Sequence, residues 1–377
     1  MKIIIEQGVL HKAIARAISV VESRNTIPIL SNVLIRAEAG EIWLTATDLN
    51  IETRVRVVGT IEREGAVTVG ASLLGDIVRN APSGAEFSLE LTADDPRMQV
   101  RFGRSRYQTP TLPARDFPQR PAAEAVTAVP VGAGAFLAML ERTAFAMAND
   151  EVRHYLNGVY LHRVATPGES SVIRLVATCT GRLASAQHAE EADAPHFRGV
   201  IIPRKTVAEF AKALAGRVGR IELGVTASEV SLDLGDQIIR SKIIDGEFVE
   251  YSRVVPTSWS HEIVVDRALL QSAARRVALV STDKVRAVQL IAEDGVLTLQ
   301  ARSLDAGHGV EQIDIDGDAT PIDFAFNARF LMDALDQTDA DRVAIRSGEK
   351  GGPVRLEPSS DDPEANEVLS ILMPMAI

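Results

Sequence analysis

The sequence predicts an α+β fold in which one module is written three times in tandem, and three observations point there. A short helix stripe, a turn and an alternating strand recur. They fall at Val207, Phe210, Leu214 then Ile221, Leu223, Val225; at Leu73, Leu74, Ile77, Val78 then Phe87, Leu89, Leu91; and at Phe330, Leu331, Leu335 then Val343, Ile345. Helix-face leucines Leu10, Leu137 and Leu270 lie 127 and 133 residues apart, a period of tandem domains rather than of a solenoid. A chain of 377 residues also has room for three domains of ordinary size, each with its own core. Three unrelated α+β domains would show alternating strands too, but not helix, turn and strand phase in agreement.

The first copy, residues 1–128, opens with a strand over Lys2 to Glu6 and a helix whose Leu10, Ile14, Ala17, Ile18 and Val21 share a face. Strands follow at Val33 to Ile35, Ile42 to Leu44 and Val55 to Val58, and after the recurrent unit at Met98 to Phe102 and Tyr107 to Leu112. Pro113, Pro118, Pro121 and the small residues to about Ala128 read as an extended linker. The second copy, 129–257, has a helix stripe at Leu137, Leu140, Ala144 and Met147, with strands at Val159 to Leu161, Ile173 to Val176, Val230 to Leu234 and Ile238 to Ile243. The third, 258–377, has Leu270, Ala273, Ala274 and Val277 on a helix, strands at Val288 to Ile291 and Val296 to Gln300, and closes on Leu369 to Met373. Each copy halves again into a helix plus about three strands.

Composition is that of a globular chain, 46% apolar, with no run long enough for a membrane span. Met1 to Ile5 is too short for a signal sequence and runs into Glu6, so a cytoplasmic protein is expected. Cys179 is the single cysteine, which excludes an intramolecular disulfide and a cysteine-rich zinc site. A net charge of -11 argues against general attraction to nucleic acid. Charge is nevertheless partitioned: the predicted helices 9–24, 73–80, 134–148, 203–217, 267–277 and 327–338 carry +2, 0, 0, +3, +3 and -1, a total of +7 that leaves -18 elsewhere. Such helices either solvate an outer face or line a channel for a polyanion.

No motif for chemistry or for a cofactor stands out. Asp314, Asp316 and Asp318 begin like a calcium loop, but Ala319 and Ala325 stand where its glycine and closing glutamate belong. Gly348 to Gly352 lacks the Lys-Ser/Thr ending of a phosphate loop and reads as a hairpin turn. The seven histidines show no metal spacing; Cys179 near His188 is the only nucleophile–base pairing to suggest itself, and a lone cysteine is more often a small core residue. Two stretches stay odd: Ala177 to Ala184, and the apolar terminus Ile371 to Ile377, which either staples the last strand or walls a groove for a partner's peptide.

On these residues the sequence resembles the bacterial DNA polymerase III beta-subunit (sliding clamp) family. The resemblance rests on Asn25 to Leu30, Ala46-Thr47-Asp48, Arg104 to Tyr107 leading to Thr111-Leu112-Pro113, Val152 to Gly158, Pro203-Arg204-Lys205, Asp245 to Phe248 before Tyr251, and Met373-Pro374-Met375. It implies a head-to-tail homodimer closing a ring of clamp domains, helices inside and antiparallel sheets outside, which holds double-stranded DNA by topology and without regard to sequence. Positions matching the family's DNA-facing residues are Arg24, Arg79, Tyr155, Arg204 and Lys205. Dimer closure would set Arg104 and Tyr107 against Leu279 and Val280. The partner-peptide groove would comprise Leu156, Thr178, Arg182, Leu183, Val249, Arg253, Val254, Asn327, Phe330, Leu372, Met373, Pro374 and Met375. It would take a short Gln- and Leu/Phe-bearing peptide from the polymerase III alpha subunit, the clamp loader or repair polymerases, near micromolar strength, roughly -8 kcal/mol. Where the family commonly reads Thr-Asp-Gly-His-Arg-Leu, this chain has Cys179, Thr180 and Gly181 in the middle, and Ala376 stands where a basic residue is common; both departures bear on peptide preference. The expectation is a non-catalytic processivity clamp without cofactor or metal, needing a separate loader. Its rivals are an open, monomeric peptide-binding scaffold and an enzyme built on Cys179.

Overall fold

The computed structural model describes residues 1–22, 26–92, 95–121, 126–164, 171–189, 195–281, 286–317, 322–348, 351–359 and 368–376. Six α-helices occur among them: α1 (Gln7–Ile18), α2 (Ala71–Arg79), α3 (Ala133–Ala144), α4 (Arg204–Leu214), α5 (Arg267–Val277) and α6 (Ala328–Asp336). Each begins directly after a strand and is followed by three more, so a strand–helix–three-strand pattern runs six times along the described residues, with one extra short strand at Thr60–Arg63 and another at Asp316–Gly317. The expected halving of each copy is therefore visible in the element order.

The helices are short, and burial rather than propensity holds them in place. Leu10, Ala13, Ile14 and Ala17 form the buried stripe of α1, and Leu270, Ala273, Ala274 and Val277 that of α5. Their alanines let α2 and α6, with stripes at Leu74, Ile77, Val78 and Leu331, Ala334, Leu335, pack close. Carboxylates and an amide cap three N-termini: Glu6 accepts from Val9 N, Asp266 from Leu269 N and Asn327 from Arg329 N. The six observed helices carry +6 together, leaving -17 to the rest of the chain, so the partition of charge survives the true boundaries.

The chain divides into two compact units. Met1–Gly134, Ala194–Phe197 and Ala208–Ile243 make the first, built on a thirteen-stranded sheet in which Ile51–Val57 pairs antiparallel with Gln237–Lys242. Ala135–Asp193, Arg198–Val207 and Ile244–Ile377 make the second, with a nine-stranded and a four-stranded sheet. In the nine-stranded sheet the terminal strand Val368–Leu372 lies between Arg182–Ala189 and Val354–Pro358.

Two expectations need correction, and two open readings are resolved. The first helix ends at Ile18, not near residue 24: the Ser19 hydroxyl donates to Arg16 O, Val21 N turns back to Ile18 O, and Val20 is buried in that turn. The supposed linker is anchored. Phe117 is buried with Ile29 and Leu34, Arg120 pairs with Glu229 at 2.7 Å and donates to Leu49 O and Asn50 O, and Thr127–Gly132 is a strand against Arg220–Val225. Ala177 to Ala184 holds a tight hairpin, with Cys179 N donating to Arg182 O. Cys179 lies in the turn beside Arg182 and His188 near the far end of the strand Arg182–Ala189, about 20 Å away at a strand's rise per residue, so they form no nucleophile–base pair.

Candidate functional site: a groove beside the terminal strand

The second unit gathers most of the expected groove residues through backbone pairing. Arg182 sits opposite Leu372 and Leu183 opposite Ile371. Met373 N then donates to Gly181 O at 3.0 Å, and Met375 N to Ala325 O at 2.7 Å, so the chain end crosses from the hairpin to the strand that precedes α6. The terminus thus staples the last strand and still leaves the Met373 side chain 38% exposed.

The floor is apolar. Leu183, Val176 and Ile371 are buried together, with Phe248, Tyr251, Val255 and Leu369 packed against them. Tyr251–Val254 is a single 3-10 turn that presents Arg253 and Val254, the latter 43% exposed; Val249 just before it is also exposed. Leu156 is buried in the turn His154–Leu156, and Arg153, at the cap of that turn, reaches the Thr180 hydroxyl of the hairpin.

Three of the expected groove residues also make internal contacts. The Thr178 hydroxyl donates to Arg182 O at 2.9 Å and so closes the hairpin. Arg182 lies over the rings of Phe145 and Phe330 at 5.1 and 4.3 Å, pairs with Asp333 at 2.5 Å and donates to Phe145 O. These contacts hold the guanidinium against Phe330. A Cβ on Gly181 would come within 2.8 Å of the Phe330 ring, which gives a physical reason for glycine beside this phenylalanine. Asn327 caps α6.

A polar cluster props the 3-10 turn from behind. His162 Nε2 shares a hydrogen bond of 2.8 Å with the Tyr251 hydroxyl, which also accepts from Arg174 at 3.2 Å, while His162 Nδ1 is buried without a partner among the described residues. Burial, and then the neighbouring Arg174 charge, push the imidazole pKa down to about 4. An unfolded histidine titrates near 6.5, so between these values the unfolded chain binds the extra proton and stability falls as pH falls. Urea unfolding at pH 7 and pH 5 is expected to show a loss of about 2 kcal/mol from this group, absent in His162→Gln. An equal pH dependence in both proteins would contradict it.

The expected DNA-facing residues fall in three places. Arg24 lies outside the described residues. Arg79, in the first unit, ends α2 with its guanidinium exposed and paired to Asp76 at 2.5 Å. Tyr155, Arg204 and Lys205 come together in the second unit, where Arg204 N donates to Asn157 O and its guanidinium to Met147 O and Ala148 O.

The expected dimer residues adjoin open sheet edges. In the first unit, Ser105–Leu112 pairs along one side with Arg97–Phe102 but meets Gly65–Gly70 only at Thr111 and Leu112, leaving residues 105–110 an unpaired edge among the described residues. Tyr107 there is 43% exposed and stacks on Phe102. In the second unit Gly307–Asp314 ends the four-stranded sheet, beside Val280 and the 74% exposed Leu279. Sequence reasoning missed that strand; its alternating Val310, Gln312 and Asp314 against Gly309, Glu311 and Ile313 is too polar to separate it from a loop.

The family models of the DNA polymerase III beta subunit match this chain throughout: the N-terminal domain at residues 1–121, the central domain at 131–250 and the C-terminal domain at 252–376. The chain is 37% identical over 377 residues to the beta sliding clamp of Caulobacter vibrioides and 32% identical over 378 residues to that of Salmonella typhimurium, in each case over 100% of both chains. Among solved structures, a beta sliding clamp from C. crescentus superposes with a TM-score of 0.95 at 37% identity, covering 100% of this chain and 99% of that one. A sliding clamp from Bartonella birtlesii, bound to griselimycin, superposes with a TM-score of 0.94 at 35% identity over 100% of both. Three tandem clamp domains of mixed helices and antiparallel sheets make up this chain, and it belongs to the DNA polymerase III beta-subunit family, the bacterial sliding clamps.

Proposed function

We propose that two copies of this chain close head to tail into a ring around duplex DNA, and that the groove beside Met373 tethers replicative and repair enzymes to it. The observation that carries this reading is the sixfold strand–helix pattern with its positive charge concentrated in the helices of an acidic chain. A ring needs no strong phosphate grip, because threading replaces affinity; loose contacts through water let it slide. Tyr155, Arg204, Lys205, Arg79 and Arg24 would face the DNA. The domain boundaries fall near 128 and 257, the work is non-catalytic and cytoplasmic, and the polymerase III alpha subunit, a clamp loader and repair polymerases are the partners.

Closure would pair the open edge at 105–110 of one subunit with the edge strand Gly307–Asp314 of the other, burying Tyr107, Leu279 and Val280. Such a heterologous contact is self-limiting only when its rotation closes. Sedimentation is expected to give twice 40.6 kDa for the native chain. Leu279→Asp, which places a carboxylate in that contact, is expected to weaken the dimer at least tenfold with the fold intact; an unchanged dimer would place the interface elsewhere.

A further inference from the structure

A cavity of about 370 Å³ opens beside Arg253 and Val254 and is lined further by Pro256, Ser258, Trp259 and Pro353. Trp259 is 38% exposed there. Guanidiniums of Arg346 and Arg355 lie over its ring at 4.4 and 5.7 Å. Arg346 donates to Glu262 at 2.8 Å and pairs with Glu357, to which Arg355 also donates at 2.6 Å. Two cations and two carboxylates thus cancel around an indole fixed in one orientation.

A ring fixed before binding loses little freedom when covered, and tryptophans of this kind dominate binding energy where they occur. The cavity adjoins the proposed groove: its lining residues Arg253 and Val254 sit on the 3-10 turn whose Tyr251 packs on the apolar cluster of Leu183 and Ile371. We propose that Trp259 is a docking platform for an aromatic side chain that flanks the groove-binding motif of a partner protein, an inference that rests on the groove reading above. A flat ring suits the site because it can stack on the indole. An acidic side chain gains little, because Arg346, Arg355 and Arg253 already have carboxylate partners, the last in Glu250 at 2.5 Å.

The test uses the full chain and a short synthetic peptide bearing Gln, Leu and Phe, extended at either end by a few residues carrying Phe or Ala. Anisotropy titrations are expected to give about tenfold tighter binding for Phe than for Ala at one end, a gain kept in Trp259→Tyr and lost in Trp259→Ser, whose affinity for the Ala-flanked peptide stays within about twofold. With Trp43→Phe, Trp259 is the only tryptophan left, and 4-nitrophenylalanine at the same flank is expected to quench its fluorescence. Equal affinity for Phe and Ala at both ends, or a gain that survives Trp259→Ser, overturns the platform and leaves the groove standing. No binding by any of the peptides overturns both.

Discussion

Loaded onto nicked circular DNA and washed with high salt, the protein is expected to stay on the circle and to leave once the circle is cut. The physical basis is the partition of charge. A chain of -11 cannot hold DNA by net attraction, and an ordinary groove binder loses about 10³ to 10⁵ in affinity between 50 and 200 mM salt. A closed ring escapes that penalty, because release requires a free end or an opened interface rather than the loss of phosphate contacts. Retention after the wash should therefore be almost independent of salt, and Leu279→Asp, with its interface weakened, should be lost even from intact circles. Release from circles and linear molecules at the same rate would mean that the chain binds DNA without enclosing it.

Met373→Asp is expected to weaken partner-peptide binding by at least about 100-fold, near 3 kcal/mol, with the dimer unchanged. The backbone there is fixed on both sides, by the Arg182–Leu372 pairing and by Met373 N on Gly181 O, so the substitution alters the wall without moving it. The native side chain is an adaptable apolar surface; a carboxylate in its place must be stripped of water whenever a leucine or phenylalanine is pressed on it. Fluorescence anisotropy with a Gln- and Leu/Phe-bearing peptide reads the loss, and sedimentation reads the dimer. Undiminished binding would move the groove away from the chain end.

Much of this was legible in the sequence because the helices carry their own signal. Leu10, Ile14 and Ala17 or Leu270, Ala273 and Val277 mark a buried stripe wherever they occur, so all six helices were located. The ends of α5 also agree with the sequence reading, at 267 and 277, but the end of α1 does not, since it stops on a Ser19 hydroxyl and a buried Val20 that periodicity does not reveal. The strands missed are those whose own residues carry a weak strand signal. Arg182–Ala189, rich in alanine and polar residues, has little strand preference of its own and is imposed by Val172–Thr178 on one side and Val368–Leu372 on the other. Thr127–Gly132 carries Pro130 and Gly132, begins inside the expected linker, and is a strand because Arg220–Val225 pairs with it. The groove came from resemblance, not from pattern. That Thr178 closes a turn, Asn327 caps a helix and Arg182 clamps Phe330 depends on contacts between segments far apart in the chain.

The most direct measurement is a cryo-electron microscopy reconstruction of the protein on duplex DNA. The expected map has two chains closed around the duplex, α1 to α6 of each lining the hole, with Arg79, Tyr155, Arg204 and Lys205 turned toward the phosphates. A single open chain, or basic helices lying on the side away from the DNA, would contradict it.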